Sequence, residues 1–230
     1  MADIMIIGAH PDDAEFGMGG TIAKFAEQGH SLVIVVLTRG ENGTYGNPEE
    51  REKECKAAAK YIEAELELLD FHDCNIFDSY EARLKIANVV RKYKPKIVFA
   101  PYFEHKTFHK DGLSHPDHSA TGLLVKNALR IAKFKKVSLE FEVHSVQRIV
   151  YYMVPRDKSP TFINDISSVI EKWEGCAKQH KSQLALAEGK VIERLKVWRR
   201  YCGELIGVQY GEGFIIEEPL IMDSEFLFKM

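Results

Sequence analysis

Cysteine is scarce in this chain of 230 residues, and its spacing matches no metal knuckle. The four cysteines are Cys55, Cys74, Cys176 and Cys202, and none belongs to a C-x-x-C pair. Such pairs are typical of structural zinc sites and redox motifs, so neither is expected here. We therefore predict four reduced thiols, most of them buried, in a protein of a reducing, cytoplasmic compartment.

Long apolar runs and an excess of positive charge are also missing. The longest apolar runs, such as residues 32–37, are far too short to cross a bilayer. The first residues lack the basic start and long apolar stretch of a signal peptide. With 31 basic and 34 acidic residues the formal net charge is -3, so no global positive field attracts nucleic acid or anionic lipid. The expected partner is a small molecule.

The composition is that of an ordinary globular protein, with 45% apolar and 28% charged residues. A chain of this length can bury a large core without disulfide bonds. We find no internal repeat, low-complexity tract or long linker. The sequence therefore predicts a single domain over residues 1–230.

The first half of the chain alternates two hydrophobic periodicities. Short apolar runs, typical of strands buried in a parallel sheet, occur at 4–7, 32–37, 66–69 and 97–100. Helical periodicity occurs at 19–28, 49–62, 81–93 and 116–132. The less regular remainder predicts strands at 146–154 and 161–163 and helices at 166–183 and 191–206. This order predicts an α/β fold, a Rossmann-like parallel sheet with a mixed edge and helices on both faces.

The loop after the first predicted strand carries a histidine and three carboxylates within six residues. It contains His10, Asp12, Asp13 and Glu15. Loops at the carboxyl ends of parallel strands are where α/β proteins place their sites. His10 and Asp13 can converge on one cation, which leaves Asp12 free to accept a proton. A helix cap is one alternative, although a cap needs one aspartate and no histidine. A dinucleotide-binding turn is another, but the glycine order is wrong for it.

A second such loop follows the fourth predicted strand and contains His115, Pro116, Asp117 and His118. Pro116 suits the first position of a helix, which places His118 in the first turn. In a doubly wound sheet the first and fourth strands can be neighbours, so the two loops would face each other. Two histidines and one aspartate with an open fourth position are typical of catalytic zinc, and non-haem iron uses the same ligand types.

These segments resemble the LmbE-like, or PIG-L, family of de-N-acetylases. The family motif A-H-P-D-D corresponds to residues 9–13 and H-P-D-H to residues 115–118. Residues 38–44, 182–183 and 210–214 resemble further family elements. Ala14 stands between the two aspartates and Glu15, as in the branch of bacillithiol-pathway N-acetylglucosaminyl malate deacetylases and chitin-oligomer deacetylases.

The resemblance implies a function and a set of site residues. The function is metal-dependent hydrolysis of the N-acetyl group of an N-acetylglucosamine derivative, with one zinc ion, or another divalent metal, per chain. The implied metal ligands are His10, Asp13 and His118. Asp12 would be the general base, and a protonated His115, oriented by Asp117, would stabilise the carbonyl oxygen.

The resemblance also implies substrate contacts and an assembly. The expected substrate-binding residues are Arg39, Glu41, Arg51, Arg148 and Tyr210. The expected assembly is a homo-oligomer, of which a hexamer is one form. Residues 105–111 form a longer loop than the family pattern has, which leaves the sugar conjugate open. Hydrolysis of a non-sugar amide or a phosphoester, a Rossmann-like ligand-binding module, and a metal-binding protein without activity remain as alternatives.

Overall fold

The computed structural model describes residues 2–104 and 115–220 of the chain. Its strands are β1 Ile4–Gly8, β2 Leu32–Val36, β3 Glu65–Leu68, β4 Ile97–Pro101, β5 Arg148–Tyr152, β6 Phe162–Asp165 and β7 Gly211–Phe214. Its α-helices are α1 Asp13–Glu27, α2 Pro48–Tyr61, α3 Tyr80–Tyr93, α4 Pro116–Ala132, α5 Ile170–Ala177, α6 Leu186–Gly189 and α7 Val191–Glu204. The strands and helices alternate up to β5, as the periodicities predict.

Five parallel strands form the central sheet in the order β3-β2-β1-β4-β5. Ile6 of β1 pairs with Ile34 of β2 on one side and with Phe99 of β4 on the other. The prediction that the first and fourth strands are neighbours is therefore confirmed. Because both strands run in the same direction, the loops after Gly8 and Pro101 leave the same edge of the sheet.

Two hydrophobic clusters cover the two faces of this sheet. Met5 and Ile7 of β1 point to the cluster that includes α3 and α4. Ile4 and Ile6 point to the cluster that includes α1 and α2. This alternation confirms the expected helices on both faces. Within the part of the chain that the structure describes, no helix is long and apolar enough to cross a membrane.

The structure differs from the prediction at the sheet edges. The run at 66–69 predicts a strand buried on both faces, but β3 is an edge strand in which Glu65 is exposed and the other residues are only partly buried. The predicted mixed edge, an antiparallel strand on the main sheet, is reduced to one isolated bridge between Tyr151 of β5 and Ile215. The antiparallel strands β6 and β7 pair with each other in a separate sheet. An edge strand needs only one apolar face. The periodicity of a four-residue run is too short to distinguish such a strand from one that is buried on both faces.

The predicted helix at 166–183 is interrupted. Short 3-10 turns at Ser167–Val169 and Lys181–Ala185 flank the eight-residue helix α5. The buried residues of the segment, among them Trp173 and Cys176, still face one side. Apolar periodicity therefore survives although the helix does not run continuously.

Helix α1 begins at Asp13, earlier than the predicted residue 19, and its axis breaks at Met18, whose φ is -148°. The break frees backbone N–H groups that an unbroken helix would use. The carboxylate of Glu212 in β7 accepts from the N–H of Gly20 at 3.0 Å and of Thr21 at 2.7 Å. Glu212 therefore caps the second half of the helix from a distant strand.

Arg199 of α7 supports the first half of the same helix. Its Nη2 donates to the carbonyl oxygen of Phe16 at 3.0 Å and lies 2.6 Å from Glu212 Oε1. The guanidinium stacks on the Trp173 ring with 3.9 Å to the centroid. Arg199 and Glu212 are both buried. The carboxyl-terminal part of the chain thus fixes the bend of the helix that carries Asp13 at its start.

Candidate active site

The loop after β1 folds back on itself through the side chain of Asp13. Asp13 Oδ2 accepts from the backbone N–H of Ala9 at 2.7 Å and of His10 at 2.9 Å. Asp12 occupies the cap position of α1, but its side chain makes no capping hydrogen bond. Helix capping therefore does not account for the two adjacent aspartates.

Helix α4 brings the second motif to the same place. His115 is its cap residue, Pro116 is the first helical residue and His118 lies in the first turn, as the sequence predicts. The helix packs closely on β4, because a Cβ on Gly122 would lie 2.1 Å from the carbonyl oxygen of Pro101. Only glycine permits this close approach of α4 to β4. The close packing in turn positions His118, which lies in the first turn of α4.

Three ligand atoms from the two loops face one another. His118 Nε2 lies 3.0 Å from Asp13 Oδ1 and 3.3 Å from His10 Nδ1. His10 Nδ1 lies 3.6 Å from Asp13 Oδ2. All three side chains are at least nine-tenths buried. His10, Asp13 and His118 are thus a group that could hold a metal ion.

The chemistry of this group fits a divalent cation. Two imidazole nitrogens that face each other at 3.3 Å cannot both donate or both accept a hydrogen bond. Burial alone would lower the pKa of His10, but Asp13, Asp117 and Asp73 raise that pKa to about 12. The surrounding carboxylates therefore favour a positive charge at this point. A divalent ion with nitrogen and oxygen ligands supplies that charge and accepts both imidazole lone pairs.

Asp73 is a member of this site that the sequence analysis missed. Its Oδ1 accepts from His10 Nε2 at 3.0 Å, and its Oδ2 accepts from the backbone N–H of Asn42 at 2.9 Å. The bond from His10 holds the pKa of Asp73 below its usual range. A carboxylate behind a ligating histidine fixes the ring and its tautomer. The only sequence signal was its position shortly after β3, at the edge of the sheet where the other loops lie.

Asp12, next to the ligand Asp13 in the chain, lies against Arg51. Its Oδ2 is 3.4 Å from Arg51 Nη2, and Arg51 Nη1 donates to the carbonyl oxygen of Gly40 at 3.0 Å. Burial raises the pKa of Asp12, Arg51 opposes this shift, and the neighbouring Asp13 adds to it. The structure therefore brings the predicted Arg51 to the site, where its observed contact is the Asp12 carboxylate.

His115 contacts the backbone of Asp117. Its Nδ1 accepts from the backbone N–H of Asp117 at 3.2 Å, while the Asp117 carboxylate accepts from the N–H groups of Cys74 at 2.7 Å and Ile76 at 3.4 Å. Burial and the neighbouring imidazoles lower the pKa of His115. A ring whose Nδ1 accepts is neutral and carries its proton on Nε2. Asp117 therefore orients His115 through its backbone N–H, and the lowered pKa favours a neutral ring over the protonated one that the resemblance implies.

Two predicted substrate residues, Arg39 and Glu41, follow β2 on the edge of the sheet that carries the site. Glu41 is exposed, and its Oε1 accepts from the backbone N–H of Asp73 at 2.8 Å. Arg39 is exposed and forms an ion pair with Glu52. Glu41 thus supports the turn that holds Asp73, and Arg39 remains on the surface of the same edge.

The other two predicted substrate residues lie elsewhere in this chain. Arg148 is the first residue of β5 and pairs with Ile97, so it lies at the amino edge of the sheet, opposite the site. Tyr210 packs against Ala23 and Ile166, beside the far half of α1. A match between sequence positions and a family motif does not show how far a residue lies from the metal-binding group. For this reason the sequence could not show that Arg148 and Tyr210 lie away from it. The loop at 105–111 lies outside the described residues.

Comparison with known proteins agrees with the fold and the motifs. Residues 5–129 match the family described as "PIG-L: GlcNAc-PI de-N-acetylase". The chain is 30% identical to the diacetylchitobiose deacetylase of Thermococcus kodakarensis, over 91% of this chain and 81% of that protein. It is 28% identical to the probable N-acetyl-alpha-D-glucosaminyl L-malate deacetylase 2 of Bacillus anthracis, over 79% and 81% of the two chains. The solved structure of a conserved protein from Thermus thermophilus is 36% identical, with a TM-score of 0.88, over 97% of this chain and 98% of that one.

Proposed function

Because the chain belongs to the PIG-L family of GlcNAc-PI de-N-acetylases, we propose that it removes the acetyl group from an N-acetylglucosamine derivative. The reaction is a metal-dependent hydrolysis that releases acetate and a free amine. The observation that carries the proposal is the convergence of His10, Asp13 and His118, with Asp12 and His115 nearby. The two relatives are named as a diacetylchitobiose deacetylase and a probable N-acetyl-alpha-D-glucosaminyl L-malate deacetylase, which supports an N-acetylated sugar as the substrate class.

We propose zinc as the bound ion, with other divalent ions as substitutes. Two imidazoles and one carboxylate leave a fourth position open, the pattern of catalytic zinc sites. When bound, such an ion polarises an amide carbonyl and makes water a stronger acid. Asp73 holds His10 by the hydrogen bond to Nε2, so that Nδ1 remains directed at Asp13 and His118.

Asp12 is proposed as the proton carrier. Its burial raises its affinity for a proton, and Arg51 limits that increase, so the carboxylate can both accept and release one. It takes the proton of the attacking water and returns it to the departing nitrogen. That return is needed because an amide nitrogen leaves poorly unless it is protonated.

His115 is proposed to bind the carbonyl oxygen of the acetyl group. Its Nδ1 is occupied by the backbone N–H of Asp117, so Nε2–H is the donor that remains. A hydrogen bond at this oxygen gains strength as negative charge develops there, which lowers the barrier. A neutral imidazole performs this role without a competing charge beside the bound cation.

Further expectations from the sequence belong to the same proposal. Residues 1–230 act as a single domain, the protein forms a homo-oligomer and it works in the cytoplasm. The four free cysteines support a reducing compartment.

The proposal is tested with a panel of N-acetylated substrates. Free N-acetylglucosamine, N,N'-diacetylchitobiose, a glucosaminyl malate conjugate and a non-sugar acetamide are incubated with zinc-loaded enzyme, and acetate and primary amine are both measured. Equal amounts of the two products from a sugar substrate are expected. Turnover of the non-sugar acetamide alone would favour a different amide hydrolase. Binding of sugars or nucleotides with no acetate from any substrate would favour a ligand-binding module.

A further inference from the structure

A second group of metal-ligating side chains lies beside the first. Asp73, Cys74 and His115 each offer a ligand atom, and these atoms lie within 4.8 Å of one another. Cys74 is exposed and His115 is half-buried, so an ion can reach them from solvent. We propose that these three residues form a second, weaker metal site, and that its occupation inhibits the enzyme. The inhibitory part rests on the proposed function, whereas the binding part does not.

The turn that carries Cys74 is held in place by α4. The backbone N–H of Cys74 donates to Asp117 Oδ2 at 2.7 Å, and that of Ile76 donates to Asp117 Oδ1 at 3.4 Å. Cys74 has a φ of 62°, in the left-handed region that L-residues with a side chain rarely adopt. The bonds from one buried carboxylate offset this strain, and they hold the turn beside His115, two residues before Asp117.

Two of the three ligand atoms are already close to each other. Cys74 Sγ lies 3.6 Å from Asp73 Oδ1. His115 uses Nδ1 for the N–H of Asp117, which leaves Nε2 as the nitrogen that can bind an ion. A thiolate, an imidazole and a carboxylate are ligands that zinc accepts together, and the thiol proton passes to solvent when the metal binds.

Binding at this second site would remove two groups from the proposed reaction. A metal on His115 Nε2 replaces the proton that the acetyl oxygen needs as a hydrogen-bond donor. Asp73 would be drawn away from His10, whose ring it fixes. Activity should therefore rise up to one equivalent of zinc and fall when zinc is in excess.

Cobalt provides a readout that is independent of activity. Metal-free protein is titrated with Co²⁺ while the near-ultraviolet absorption of a thiolate–cobalt bond is followed. The band should appear only with the second equivalent, because the first site has no sulfur ligand. Cys55, Cys176 and Cys202 are buried, so they serve as internal controls. No band at any excess of Co²⁺ would overturn the second site.

Two variants assign the band and the inhibition to Cys74. Cys74→Ser removes the thiol. Cys74→Asn also removes the thiol, and asparagine tolerates the left-handed backbone conformation at this position. Both should lose the band, keep wild-type activity at one equivalent of zinc, and need at least about tenfold more zinc for half-inhibition. A band that persists in both variants would overturn the site. Inhibition of both variants at the wild-type zinc concentration would overturn the regulatory role. If no substrate is ever turned over, the band still decides the site.

Discussion

His10 Nε2 lies 3.0 Å from Asp73 Oδ1, while the other nitrogen of the same ring faces His118 and Asp13. This relationship fixes which nitrogen of His10 keeps its proton when a metal ion binds. Nε2 donates to the carboxylate, so when a metal ion displaces the other ring proton, the lone pair of Nδ1 is directed into the metal-binding group. The site therefore depends on a residue from the loop after β3, in addition to the two loops that the motifs identify.

Removal of Asp73 should weaken metal binding. Asp73→Ala leaves the His10 ring free to turn, and metal affinity should fall by about 10- to 100-fold, as is usual when such a supporting carboxylate is lost. Competition with a fluorescent chelator measures the affinity. Asp70→Asn is the matched control, because Asp70 is an exposed aspartate that pairs with Lys85. Equal affinities for the Asp73 and Asp70 variants would exclude the supporting role.

Asp12→Asn should separate metal binding from turnover. The amide cannot carry the proton, and turnover should fall by roughly 10²-fold or more. The ligands His10, Asp13 and His118 are unchanged, so one metal ion per chain should remain. Metal analysis and acetate release on the same preparation provide the comparison. Near-normal turnover in this variant would remove Asp12 from the proposed mechanism.

His118→Ala should lose the metal ion as well as the activity. It removes one of the three proposed ligands, so the first metal ion should be lost together with activity. Circular dichroism checks that the fold persists. Full occupancy of the first site in a folded His118→Ala protein would contradict the ligand assignment.

The Arg199–Glu212 pair should contribute strongly to stability. Arg199→Met leaves the Glu212 carboxylate buried without its partner, and unfolding free energy should drop by about 3–5 kcal/mol. Urea denaturation of the metal-free protein measures the change without a contribution from bound metal. Glu212→Gln should lower the free energy of unfolding much less in the Arg199→Met variant than in the wild-type protein. Additive losses would show that the two residues act independently.

Much of this site could be predicted from the sequence because its ligands follow two strands that a doubly wound sheet makes neighbours. The motifs at 9–13 and 115–118 therefore located the converging residues. Asp73 could not be found in this way, since a lone aspartate after a short edge strand carries no pattern. Arg148 and Tyr210 were misplaced because similarity of motif does not determine which edge of the sheet, or which side of α1, a residue occupies.

The bend of α1 is a second feature that local patterns could not determine. The helical periodicity predicts a helix that begins at residue 19, which matches the half of α1 that follows the break at Met18. The residues that hold the bend, Arg199 and Glu212, come from the far end of the chain. A long-range contact of this kind leaves no periodic signal in the residues around Met18.

The most direct test of the whole account is acetate release from N,N'-diacetylchitobiose as metal-free enzyme is titrated with zinc. The account predicts no acetate without metal and a rise that ends at one zinc ion per chain. Asp12→Asn should bind the same single ion with the activity almost absent. Acetate release at full rate from protein verified to be free of metal would contradict the central claim.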